Sequence, residues 1–132
     1  MRESLQTGST ALAVLTMLAC GPAIHEARFR QVAPRAEPHA ITVFQTTRPE
    51  CVFEEVGMIS AEKRHLFVSA QEMLDAMRAR AQRMGGDALI AFQEGARLSG
   101  SGDGAGNVRI EDKLTYSATV IRFTDTACMK RP

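Results

Sequence analysis

The sequence predicts a small α+β domain: a mainly antiparallel sheet in the order β-β-α-β-β with one helix packed on it. Three observations carry this. Alternating, β-branched stretches recur along residues 40–123. One stretch, residues 70–84, instead spaces its apolar residues as a helix does. Strands flank that stretch on both sides, the pattern of a helix covering one face of a sheet. The chain has 132 residues, enough for one domain. At 45% hydrophobic and 23% charged it has the composition of a folded protein rather than a disordered one. Sixteen basic residues against fifteen acidic ones give a net charge of +1, without the basic excess of a nucleic-acid binder.

The first elements read as an address. Arg2 gives a short basic region, and Ala11-Leu-Ala-Val-Leu-Thr-Met-Leu-Ala19 is an apolar core of signal-peptide length. No apolar run reaches the roughly 18 residues of a membrane-spanning helix. Residues 1–19 are therefore expected to be a signal peptide. Residues 20–39 follow with Pro22, Pro34 and Pro38, mixed charges and neither a strand nor a helix period. Proline fixes φ and removes donors, so this segment is expected to be an extended tether. It could reach about 60 Å at roughly 3.3 Å per residue. Ile24, Phe29 and Val32 would let a short piece of it pack on the domain.

The domain proper is expected over residues 40–132. Residues 40–47, Ala-Ile-Thr-Val-Phe-Gln-Thr-Thr, form a first strand that Pro49 ends. A second strand covers residues 52–60, with Gly57 as a bulge or a point of close approach. Ser69 and Glu72 form a capping box for the helix. Ala70, Met73, Leu74, Met77, Ala81 and Met84 share one arc, which is expected to be core. Glu72 and Asp75 near the start and Arg80 and Arg83 near the end suit the macrodipole. Gly85 or Gly86 supplies the left-handed stop. A short strand, residues 87–92, comes next. The Gly- and Ser-rich residues 94–107 are expected to be a loop, and residues 108–123 the last strand, with or without a kink near Glu111-Asp112.

Two motifs resemble known families. Met17-Leu-Ala-Cys-Gly21 is similar to a lipobox, the processing site of bacterial lipoproteins. That resemblance implies Cys20 as the mature, acylated first residue. Gly21 in the next position, where an Asp would signal inner-membrane retention, implies the outer membrane. Separately, Glu54-Glu-Val-Gly-Met-Ile-Ser60, the helix ending Ala81-Gln-Arg-Met-Gly-Gly-Asp-Ala-Leu-Ile90, and Ser117-Ala-Thr-Val-Ile-Arg-Phe123 together resemble the YbjQ/RcsF-like domain of small bacterial envelope lipoproteins. In this turn Asp87 can bond local backbone amides, and small Ala88 would let the helix approach the sheet. The resemblance implies a binding role toward another envelope protein, in stress sensing or similar contacts, or toward a metal. The four-cysteine pattern of the RcsF branch is not present, so its disulfides do not carry over.

The chemistry-bearing residues are few. With Cys20 acylated, Cys51 and Cys128 remain. In an oxidising compartment they most simply form one disulfide, closing a loop of about 80 residues worth roughly 4–5 kcal/mol in the entropic picture. The alternatives are a soft-metal site built from both thiolates and His65, or two free thiols. Gly100-Ser-Gly-Asp-Gly-Ala-Gly106 lacks the Lys-Ser/Thr of a phosphate loop. His25 and His39 fall in the expected tether. Glu54 and Glu55, adjacent on a strand, face opposite sides and cannot act as a pair. No catalytic constellation emerges, and no cofactor is expected. The reading is a membrane-anchored lipoprotein facing the periplasm that works by binding rather than catalysis, with membrane lipid and another envelope protein as partners and no nucleic acid.

Overall fold

The computed structural model describes residues 21–63, 67–102 and 104–130. The expected signal peptide and Cys20 lie outside the described residues, as does His65. The fold is α+β: one helix on a five-stranded, mostly antiparallel sheet. In chain order the elements are β1 (Ala23–Arg28), β2 (Thr42–Val43), β3 (Phe53–Glu62), α1 (Ala70–Arg83), β4 (Ala88–Gly102), β5 (Val108–Phe123) and a closing 3-10 turn (Thr126–Lys130). Across the sheet they lie β1-β3-β5-β4-β2, with only the β2–β4 pair parallel.

The order among the described residues is thus β-β-β-α-β-β, one strand more than expected. The extra strand comes from the segment expected to be a tether. Ala23–Arg28 pairs antiparallel with β3, Ala23 opposite Glu62 and Arg28 opposite Gly57. Ile24 packs against the main core, and Glu26 pairs with Arg80 of α1. The helical partner makes this strand worthwhile, and nothing local in the sequence announces it.

The helix follows its sequence signals closely. The Ser69 side chain accepts from the Glu72 N–H, and the Glu72 carboxylate accepts from the Ser69 N–H, closing the capping box. These bonds, the one to the Ser69 backbone foremost, hold the Glu72 carboxyl below its usual pKa. At the other end Gly85 has φ +85°, the left-handed region open to glycine. The Gly85 N–H bonds the Gln82 carbonyl and the Gly86 N–H the Ala81 carbonyl at 2.9 Å, a Schellman stop. Met73, Met77, Ala81 and Met84 are fully buried, Leu74 is half-buried and Ala70 is exposed. The buried arc is therefore narrower than expected and centred on Met77.

Gly57 is both things proposed for it. The β3–β5 register shifts between Glu55 and Gly57, and a Cβ there would stand 2.3 Å from the Ala27 carbonyl oxygen and 2.8 Å from Met84 Cε. The residue lets β1 and the end of the helix close onto β3 together.

Two expectations fail in the second half. β4 runs 15 residues to Gly102, through most of the expected loop. Its Gly- and Ser-rich end has low strand propensity, but β5 supplies a paired backbone along Ala96–Leu114, Gly100–Ile110 and Gly102–Val108. Ala88 does not face the helix. It joins Ile90, Ile121 and Phe123 in a second cluster on the opposite face.

The sheet thus has two half-cores. On one face α1 covers Val56, Ile59, Ala61, Leu89, Tyr116, Ala118 and Val120. On the other, one end only is covered, by Phe44, Cys51, Cys128 and Met129 against Phe53, Ile90 and Phe123. Met77→Ala should cost about 2–5 kcal/mol in a chemical unfolding titration, as core truncations do. Arg78→Ala removes a surface contact to Asp75 and should cost under about 1 kcal/mol. Similar costs for both would refute the helical phase.

Candidate functional site

Residues 29–41 connect β1 at one sheet edge to β2 at the other, so they cross the whole end of the sheet where α1 stops. A set of side chains straps them down. Asp87, between the helix stop and β4, is buried, with a fully buried side chain. Arg35 approaches it in a fork, Nε to Oδ1 at 3.1 Å and Nη2 to Oδ2 at 2.8 Å. Arg35 Nη2 also donates to the Phe123 carbonyl at 2.9 Å. The Phe123 N–H donates to Asp87 Oδ2 at 2.9 Å, and His39 Nε2 lies 3.1 Å from Oδ1. The hydrogen bonds to Asp87 raise the Arg35 pKa above its usual value.

Further bonds extend the strap. Arg122 Nη1 donates to the Ala33 carbonyl at 2.7 Å and the Gly85 carbonyl at 2.8 Å. The Gln82 amide donates to the His39 carbonyl. His39 therefore has a fixed place, contrary to the expectation of a loose tether. His25 sits on β1 opposite Ser60. The clue in the sequence was a lone Asp87 against the run Ala-Leu-Ile, a buried carboxylate in need of a cation. Nothing local singles out Arg35 as that cation.

At the same end, on the face away from α1, Cys51 and Cys128 form a disulfide, Cα to Cα 6.2 Å across 77 residues of sequence. It ties the loop after β2 to the closing 3-10 turn. The soft-metal alternative loses both thiolates to this bond, and among the described residues no His, Cys, Asp and Glu side chains group to hold a metal. Beside the disulfide lies a cleft of about 310 Å³ lined by Phe44, Thr47, Arg48, Pro49, Glu50 and Phe123. A second, of about 260 Å³, is bounded by Gln45, Thr46, Glu55, Ile90 and Thr119. Arg48 stacks over the Phe53 ring at 5.7 Å. Glu54 and Glu55 diverge as expected, Glu54 to a surface pair with Arg30 and Glu55 to the second cleft.

Beyond these clefts the same face is uncovered. Met58 is 46% exposed, and Ser60, Thr115, Ser117 and Thr119 stand half-buried on rungs of β3 and β5. The arrangement is a polar, hydroxyl-rich sheet face ending in an apolar, arginine-rimmed recess. Its groups can accept and donate hydrogen bonds and hold an apolar side chain. Comparison with family models, with curated proteins and with solved structures finds no match for the chain.

Two outcomes test the site's construction. Asp87→Ala leaves the Arg35 charge without its partner and should cost about 3–5 kcal/mol. Limited proteolysis of that variant should cut first within residues 29–41, and uncut strap would refute the clamp. Reduction of the disulfide should lower Tm and open the chain near the closing turn. The entropic contribution is about 4–5 kcal/mol, less any relaxation of the native state. An unchanged melting curve under reductant would refute a stabilising role.

Proposed function

We propose that the chain is a bacterial envelope lipoprotein, held on a membrane by acylated Cys20, whose periplasmic domain binds another envelope protein. The observation that carries the binding role is the half-covered sheet. α1 covers one face along the body of the sheet, whereas the other face is closed only at its disulfide end. The open half, Met58, Ser60, Thr115, Ser117 and Thr119 with the adjoining clefts, is large enough for an extended segment of a partner. A role in envelope stress sensing, as the resemblance to the YbjQ/RcsF-like domain implies, would use this contact.

Export rests on two supports. The apolar run ending in Ala19-Cys20 has the form of a lipoprotein signal. The Cys51–Cys128 disulfide is a bond that persists in an oxidising compartment such as the periplasm. Stable anchoring by acyl chains needs more than one chain, which a multiply acylated Cys20 would provide. Gly21 after it favours the outer membrane, facing the periplasm.

Cys20→Ser should leave an unprocessed precursor and abolish fatty-acid labelling in cells. Normal processing of that variant would instead indicate an ordinary secreted protein. For the binding face, a benzoylphenylalanine crosslinker at Ser117 should give one discrete adduct in intact cells. The same group at Gln71, on the exposed side of the helix, should give none. Identical patterns at the two positions would remove the open face from the proposal.

A further inference from the structure

The loop after β2 has to reach β3, and β4 and β5 lie between the two in the sheet. It crosses the face away from α1, where Phe44, Thr47 and Arg48 form a wall shared by both clefts. The cleft of about 310 Å³ lies on the disulfide side of this wall, with Phe123 in its lining. The cleft of about 260 Å³ lies on the open side, over Ile90 and Thr119, which stand opposite each other on β4 and β5. Ala91, in the bulge of β4, borders this second cleft with φ +51°, the one positive φ outside glycine among the described residues. Such a conformation is costly without glycine, and residues held in it gather at binding sites. The hydroxyl-rich open face therefore runs up to a wall and stops there.

Charge at this blind end says what fits it. Arg48 stands in the wall, over the Phe53 ring, and has no carboxylate partner among the described residues. Glu55, two residues along β3 from Phe53, borders the open-side cleft and has no cationic partner among them. Side chains two apart on a strand share a face at a spacing of about 7 Å. An extended polypeptide that lies along the open face and ends at the wall matches both groups. Its terminal carboxylate meets the Arg48 guanidinium, which can take it in a fork. Its side chain two positions earlier lies on the same face of the ligand, meets Glu55 and is basic. Glu50 rims the disulfide-side cleft and repels a carboxylate there. That cleft takes the last side chain instead, an apolar one, against Phe44 and Phe123. A fatty acid would satisfy Arg48 and the apolar recess but leave Glu55 unmatched. An internal segment has no room to continue past the wall.

We propose that the blind end of the open face captures the C-terminus of the partner's segment: a free carboxylate on Arg48, an apolar last residue, and a basic residue two positions before it on Glu55. The proposal rests on the reading of the open face as a docking surface. Its test uses two pools of fluorescein-labelled pentapeptides with leucine last, lysine two positions earlier, and serine, threonine or alanine elsewhere. One pool ends in a free carboxylate and the other in an amide. Binding to the mature, disulfide-intact protein is read by fluorescence anisotropy. The acid pool should bind about tenfold tighter than the amide pool, the contribution of one charge-assisted fork. Arg48→Gln should abolish that difference, and Arg109→Gln at the start of β5 should preserve it. Glu55→Lys should reverse the preference at the third position from the end, so that glutamate there binds better than lysine. Each variant must keep the parent Tm, which separates a lost contact from a lost fold. Equal binding of the two pools, or none by either, overturns the proposal. If the crosslinker at Ser117 still gives its adduct in that case, the open face remains a docking surface and only its C-terminal end is lost. If the adduct is absent as well, both readings fall. Displacement of the acid pool by decanoate at equal concentration assigns the recess to a fatty acid and overturns the peptide.

Discussion

The fold depends on one buried carboxylate. Asp87 sits where the helix stop, the start of β4, the end of β5 and the strap meet. Each of its oxygens has two partners: Arg35 and His39 on Oδ1, Arg35 and the Phe123 N–H on Oδ2. That saturation is what permits an ionised group to be buried. It also dictates the path of the chain. Arg35 can reach Asp87 only if residues 29–41 run under the helix C-terminus, and that course delivers the chain from one sheet edge to the other. β1 and β2 are placed at opposite edges as a consequence.

Elements with local causes were legible in the sequence. The helix was legible because caps, periodicity and charge placement all act within a few residues of where they are read. β5 was legible because its β-branched alternation is long, and Gly57 because a glycine in a strand signals close approach. The misses share a different cause. β1 and the strap are stabilised by residues far away in sequence: Glu26 by Arg80, Arg35 by Asp87, the Ala33 carbonyl by Arg122. Burial pushes the Glu26 carboxyl up, yet the bonds from Arg28 and Arg80 outweigh it and leave the group below its usual pKa. Prolines at 34 and 38 correctly forbade regular structure there, but irregular is not the same as free. The distal half of β4 was missed because its order comes from its neighbour β5, not from its own propensity.

The candidate binding face was less legible than the fold. The disulfide could be reached by counting cysteines, since the expected lipidation of Cys20 would leave an even pair in an oxidising compartment. The hydroxyl-rich face could not, because Ser60, Thr115, Ser117 and Thr119 come from two strands separated by the helix and β4. Only the register brings them together. The same holds for the clefts, whose walls are the loop after β2 and whose floor is β4 and β5.

The strap also changes what an anchored protein could do. A free segment from residue 20 to 39 would let the domain range up to about 60 Å from its membrane. With β1 beginning at Ala23, the reach falls to about 10 Å. If Cys20 is acylated as proposed, a domain so held would not range through the periplasm. Under the proposed anchoring, the Ala23 end of the sheet would lie toward the lipid, and the disulfide end, with its clefts, lies at the opposite end of the strands. On that proposal a partner bound at the open face would have to come to the membrane surface or already reside there. In such an anchored protein, force or displacement at the partner would be transmitted to the bilayer through a paired sheet rather than absorbed by a slack linker. Anchoring, binding and rigidity are then properties of one continuous sheet, and the Asp87 clamp is what keeps it continuous.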